Sequence, residues 1–128
     1  MSAPNHLDVA TSLNNLAELY RAKGQHAAAE PLYMRALSIR EKVLGPNHPD
    51  VATSLNNLAE LNRAKGQHAE AEPLYQRALS IWEKALGPNH SDVATSLNNL
   101  AILYRATKRD SQAEELEKRA ATIRALPR

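Results

Sequence analysis

The chain has no cysteine and no phenylalanine, and only 4% of its 128 residues are aromatic. Without cysteine there are no disulfides and no thiolate metal sites, so stability has to come from packing, which suits a reducing, cytoplasmic setting. With so few aromatics, burial relies on Leu, Ala, Ile and Val, and small residues in regular places require helices that approach closely. Long apolar runs are also missing. No segment nears the roughly 18 residues of a membrane helix, and residues 1–20 lack the basic start and apolar run of a secretory signal. Neither charge sign dominates: 16 Lys and Arg stand against 14 Asp and Glu, interspersed, for a net +2. This balance gives no basic block for nucleic acid. Catalytic motifs are absent too, with no Gly-x-x-x-x-Gly-Lys phosphate loop, no His-Glu-x-x-His, no Gly-x-Ser-x-Gly and no thiol nucleophile. The reading is therefore of a non-enzymatic chain without cofactor, metal, membrane or nucleic-acid partner.

What the chain does have is repetition. Residues 8–49 match residues 50–91 at all but six positions: Tyr20/Asn62, Ala28/Glu70, Met34/Gln76, Arg40/Trp82, Val43/Ala85 and Pro49/Ser91. A third unit, residues 92–128, keeps Asp-Val-Ala-Thr-Ser-Leu-Asn-Asn-Leu-Ala and then diverges. The whole of residues 1–128 reads as one array of three units.

Within a unit, Leu13, Leu16, Ala17 and Tyr20 fall at i, i+3, i+4 and i+7, which predicts an amphipathic helix A over about residues 8–22. Gly24 suits a positive-φ helix stop. Ala29, Leu32, Tyr33, Ala36, Leu37 and Val43 then predict helix B over about residues 26–44. Gly45-Pro46-Asn47 ends it, with Pro49 in the first turn of the next helix and Asn47 or His48 as its cap. Pro31 and Pro73 lie near the starts of their B helices, where a bend and not a break is expected.

Ala17, Tyr20, Gly24, Ala29, Tyr33 and Ala36 resemble the tetratricopeptide repeat signature. Leu-Asn-Asn-Leu-Ala-Glu-Leu-Tyr, Glu-Pro-Leu-Tyr and Leu-Gly-Pro-Asn-His-Pro-Asp are similar to the 42-residue version found in kinesin light chains and many bacterial arrays. The resemblance implies an all-α fold, three helix-turn-helix repeats in a right-handed superhelix, with the A helices on the concave side. It also implies a protein or peptide ligand there, the matching asparagine commonly contacting bound peptide in the family.

The residues themselves support such a groove. Thr11, Asn15, Glu18 and Ala22 share a face of helix A away from the apolar stripe, with Asn14 and Arg21 beside them. Stacking repeats this face, so that Asn15, Asn57 and Asn99 form a ladder of amides suited to a peptide backbone. Asn14, Asn56 and Asn98 flank it, and Arg21, Arg63 and Arg105 can attract acidic side chains. The competing reading makes these solvated faces, or makes one asparagine of each pair a bond to a neighbouring helix. His6, His48 and His90 recur, as do His26 and His68. Equivalent residues on stacked helices lie roughly 8–10 Å apart per helix, too far to share a metal, so capping and loop packing are expected. Trp82 is expected to pack against a neighbouring unit, a contact patch being the alternative; Asn62 reads as drift from tyrosine.

In the third unit Lys108 replaces the turn glycine, and Glu115, Glu117 and Ala121 replace Pro, Tyr and Leu, as a terminal repeat facing water would require. The first unit has no such adaptation. Val9, Leu13, Leu16 and Leu19 should leave an apolar strip open to a homodimer or a hairpin-swapped oligomer. The primary reading is a protein-interaction module. The alternative is a structural or self-associating module, a fragment of a longer array or an engineered repeat, without a dedicated ligand.

Overall fold

The computed structural model describes residues 6–127. Six helices follow one another: α1 His6–Ala22, α2 His26–Leu44, α3 Pro49–Ala64, α4 His68–Leu86, α5 Ser91–Ala106 and α6 Asp110–Arg124. They pair as three hairpins, and each B helix also packs on the A helix that follows, α2 on α3 and α4 on α5. α2 and α4 match the predicted span of helix B and α6 is shorter, ending at Arg124, while α1 begins two residues earlier than the apolar stripe required.

Local chemistry sets these boundaries. Gly24, Gly45, Gly66 and Gly87 all take positive φ, a region that costs other residues a Cβ clash. Lys108 stands at the same turn position in the third unit and still adopts φ 63°, so the turn geometry overrides the residue's preference. His48 and His90 cap α3 and α5: each Nδ1 accepts from the backbone N–H two residues on, at 3.0 Å. Pro49 occupies the first turn of α3, where its missing donor costs nothing. Pro31 and Pro73 lie inside α2 and α4, which continue unbroken past them.

Burial follows the apolar stripes. One cluster joins Val51, Leu55, Ile81, Trp82, Val93, Leu97 and Ile123. A second surrounds Tyr75, Leu100, Leu103 and Tyr104, and a third surrounds Tyr33, Leu58 and Leu61. Trp82, in the first cluster, is a packing residue. Asn62 is buried at the position of Tyr20 and Tyr104, and its amide makes no side-chain hydrogen bond among the described residues.

Polar bonds cross each repeat boundary beside this core. At the first, Lys65 bonds Glu30 at 2.6 Å, Arg77 bonds Glu41 and the Pro46 carbonyl at 3.1 Å, and Arg40 donates to the buried Ser54 hydroxyl at 2.8 Å. At the second, Arg119 bonds Glu83 at 2.7 Å and Gln76 donates to the Tyr104 hydroxyl at 3.2 Å. Glu72 takes both arms of Arg109, whose guanidinium also lies 4.2 Å from the centre of the Tyr104 ring. The lysine of the first boundary is replaced by Thr107, and the cation moves two residues along the turn to Arg109. Not every contact is replaced: Trp82 stands where Arg40 stood, and the fully buried Ser96 hydroxyl has no partner among the described residues.

The same substitution should therefore have opposite consequences at the two boundaries. Ser96→Ala removes an unpaired buried hydroxyl, whereas Ser54→Ala strands Arg40; in chemical denaturation the first variant should be more stable than the second by about 1–2 kcal/mol. Equal stabilities would mean that Arg40 contributes nothing at Ser54. Lys108→Gly should raise stability by about 0.5–1 kcal/mol by relieving the left-handed turn, and a loss would show that the lysine is not strained there. The Arg109 hydrogen bonds hold Glu72 below its ordinary value of 4.5. A depressed folded-state pKa gives stability that is present above pH 4.5 and lost as pH falls through the lowered value. Denaturation midpoints between pH 7 and pH 3 should fall less steeply for Glu72→Gln than for the original chain.

Candidate functional site

The polar strip runs along α1, α3 and α5, and its asparagines bond across the repeat boundaries. Asn57 Nδ2 donates to Asn14 Oδ1 at 3.0 Å, and Asn99 Nδ2 donates to Asn56 Oδ1 at 3.3 Å. The second asparagine of each unit thus reaches back to the first asparagine of the unit before, as the competing structural reading allowed. A carboxamide has two N–H donors and a carbonyl with two lone pairs, so each bonded amide keeps capacity for a further partner. At the two ends of the ladder Asn15 and Asn98 make no side-chain bond among the described residues; Asn15 is exposed and Asn98 half-buried.

Arg63 and Arg105 turn toward their own B helices, whereas Arg21 is held by carboxylates of α1 and α3. Arg21 bonds Glu18 at 2.7 Å and, across the boundary, Glu60 at 3.0 Å, while Glu18 accepts from the Tyr33 hydroxyl. Arg63 Nε donates to the Tyr75 hydroxyl at 3.2 Å. Arg105 grips Glu117 with two bonds of 2.8 and 2.6 Å. Tyr33, Tyr75 and Glu117 occupy one repeat position, so one arginine serves a tyrosine–carboxylate pair, a tyrosine and a carboxylate in turn. Glu117 is more than a concession to water: it replaces a buried tyrosine with a charge that Arg105 holds. The unchanged arginine opposite a residue changed from Tyr to Glu was the sequence signal for this pair.

Electrostatics follow the same geometry. Burial, then the hydroxyl's donation to Glu18, pushes the Tyr33 pKa well above 10, and burial raises Tyr75 as well. Burial alone would lower Arg21, but Glu18, Tyr33 and Glu60 together raise it. Arg105 holds the Glu117 carboxyl below its ordinary value. Arg21 and Arg105 are matched by carboxylates, whereas Arg63, in the middle of the strip, has only a neutral hydroxyl partner among the described residues.

Sequence reasoning passed over Ile102. It stands where Glu18 and Glu60 stand in the earlier units and is 48% exposed, an apolar side chain on an otherwise polar strip. The change was visible in the third unit as the single break within Leu-Ala-Glu-Leu. The histidines serve the helix ends: His48 and His90 cap, and His26 and His68 open α2 and α4. No group of three or more His, Asp or Glu that could hold a metal occurs among the described residues. Among them too, no helix is long and apolar enough to cross a membrane.

Comparison with known proteins agrees with this architecture. The chain superposes on BtubC (BKLC) from P. vanneervenii with a TM-score of 0.89 at 28% identity, over 97% of this chain and 49% of that one. It superposes on a putative kinesin light chain with nearly identical TPR-like repeats from Podosopora anserina with a TM-score of 0.84 at 29% identity, over 96% and 58% of the two chains. The chain thus spans roughly half the length of these relatives. The N-terminal domain of stress-induced protein-1 (STI-1) from C. elegans, at 15% identity and a TM-score of 0.75, shares the fold. No curated protein sequence matches. The tetratricopeptide repeat family matches residues 8–73 and 55–125, and with its six helices in three hairpins the chain belongs to that family.

Proposed function

We propose that the chain is a non-enzymatic adaptor that takes an extended peptide of a partner protein along the polar strip of α1, α3 and α5. The tetratricopeptide repeat is a non-catalytic fold and generally a protein-interaction module, which is the coarse part of this reading. The finer part rests on one observation. The Asn14–Asn57 and Asn56–Asn99 bonds hold four amides in register across two repeat boundaries, and each retains unused capacity. A peptide backbone offers alternating N–H and C=O groups along its length, and fixed amides meet it without further ordering cost.

The flanking residues suggest the ligand's character. Arg63, without a carboxylate partner, suits an acidic side chain at the centre, and exposed Ile102 suits an apolar side chain toward α5. Arg21 and Arg105 support the strip from behind, since their charges are already bonded. The absence of cysteine fits a cytoplasmic setting.

A phage-displayed library of linear peptides, panned on the original chain and on the Asn15→Ala, Asn57→Ala, Asn99→Ala triple variant, tests the reading. Enrichment of peptides with an acidic residue followed by an apolar one, at least tenfold weaker on the triple variant, is the expected result. Equal enrichment on both chains, or none on either, would remove the site. Asn57→Ala alone should cost about 1 kcal/mol of stability, because its bond to Asn14 is lost.

A further inference from the structure

The internal boundaries show what each end of the array is built to meet. Where one unit follows another, position by position, the incoming A helix presents a serine, an asparagine and a lysine. These are Ser54, Asn57 and Lys65, and they are met by Arg40, Asn14 and Glu30 of the preceding unit. The first unit presents the same set, Ser12, Asn15 and Lys23. All three are exposed and make no side-chain bond among the described residues. The last unit carries the answering set, Arg124, Asn98 and Glu114, at the positions of Arg40, Asn14 and Glu30. Among the described residues Arg124 reaches only Thr95 of its own hairpin, at 3.4 Å, and Glu114 makes an exposed 3.5 Å pair with Lys118.

Apolar surface at the first hairpin marks the same face. Leu16 and Leu19 are 41% and 60% exposed, whereas their counterparts Leu58, Leu61, Leu100 and Leu103 are buried under the preceding hairpin. Beside them His6, Val9, Arg35, Ile39, Lys42 and Val43 line an open groove of about 430 Å³. Val51 and Ile81, the counterparts of Val9 and Ile39, lie fully within the core.

We infer that copies of the chain associate head to tail, the α5–α6 hairpin of one copy stacking on the α1–α2 hairpin of the next as one internal unit stacks on another. Arg124 then donates to Ser12, Asn15 donates to Asn98, and Lys23 pairs with Glu114. Arg35 is matched less well. Its counterparts Arg77 and Arg119 bond Glu41 and Glu83, but the corresponding residue of the last unit is Ala125. Ala121 likewise stands where Leu37 and Leu79 pack. Two weakened positions of an otherwise matched set make the association concentration-dependent. A two-fold pairing of first hairpins is disfavoured because it would bring Arg35, Lys42 and Lys23 of one copy against those of the other. A head-to-tail contact leaves a free end at each step, so the assembly grows beyond two.

Sedimentation and light scattering of the full chain from low to high micromolar concentration test this independently of the peptide site. The expected result is a mass that rises past the dimer. Lys23→Glu and Glu114→Lys should each lower the mass at a given concentration, and the double variant should restore it, because the reversed charges meet again at the contact between copies. Ala125→Glu should shift the onset to at least threefold lower concentration by giving Arg35 its carboxylate. Circular dichroism confirms that each variant keeps its helices. A monomer at all concentrations in both the original chain and Ala125→Glu overturns the inference. So does a mass that stops at two and ignores Glu114→Lys, which would mark a pairing of first hairpins.

Discussion

Everything in this molecule depends on the seating of each B helix against the A helix of the following unit. A hairpin of two short helices cannot bury its apolar face alone, and in a linear array each unit leans only on its neighbours. The boundary is where Val51, Leu55, Leu58 and Leu61 become fully or almost fully buried, while in the first unit Val9 and Leu13 are half-buried and Leu16 and Leu19 exposed. Polar bonds frame that contact and fix its register: an amide pair on the strip, an ion pair near the turn and another along the B helices. The candidate peptide surface is a by-product of this seating, since the bonds that align the repeats also align the amides.

The two boundaries achieve the same seating with different chemistry. Lys65 and Glu30 at the first give way to Arg109 and Glu72 at the second, with Arg109 laid over the Tyr104 ring. Arg40 on Ser54 gives way to Trp82, which adds apolar contact and leaves Ser96 without a partner among the described residues. These exchanges trade a polar bond for packing, or one cation for another. They show that the position matters more than the residue in it.

Most of the fold was legible in the sequence because a period of 42 with apolar residues three and four apart admits few architectures. Gly24 and Pro49 punctuate it in ways with a single physical meaning. The site was legible only in part. The asparagines were found because they repeat on one face, but the partner of each could not be read, since Asn14 and Asn57 lie in different units and meet only through stacking. The arginines were read as free cations because the sequence does not reveal that Tyr33, Tyr75 and Glu117 come within their reach. Ile102 was missed because a single apolar residue in a helix does not disturb its periodicity.

The near-identity of the first two units bears on how the molecule finds its order. A hairpin recognises a neighbour by the residues along its edge, and here the edges of units one and two are almost the same text. Arg40 would suit Ser96 as well as it suits Ser54, and Glu30 offers Arg109 what Glu72 offers. Chemistry at the edges therefore says that units stack, and says little about which stacks on which. That second instruction comes from connectivity: the short Gly45-Pro46-Asn47 and Gly87-Pro88-Asn89 turns deliver each unit to its neighbour before a more distant one can arrive. The address is written in the covalent chain and the adhesive in the side chains.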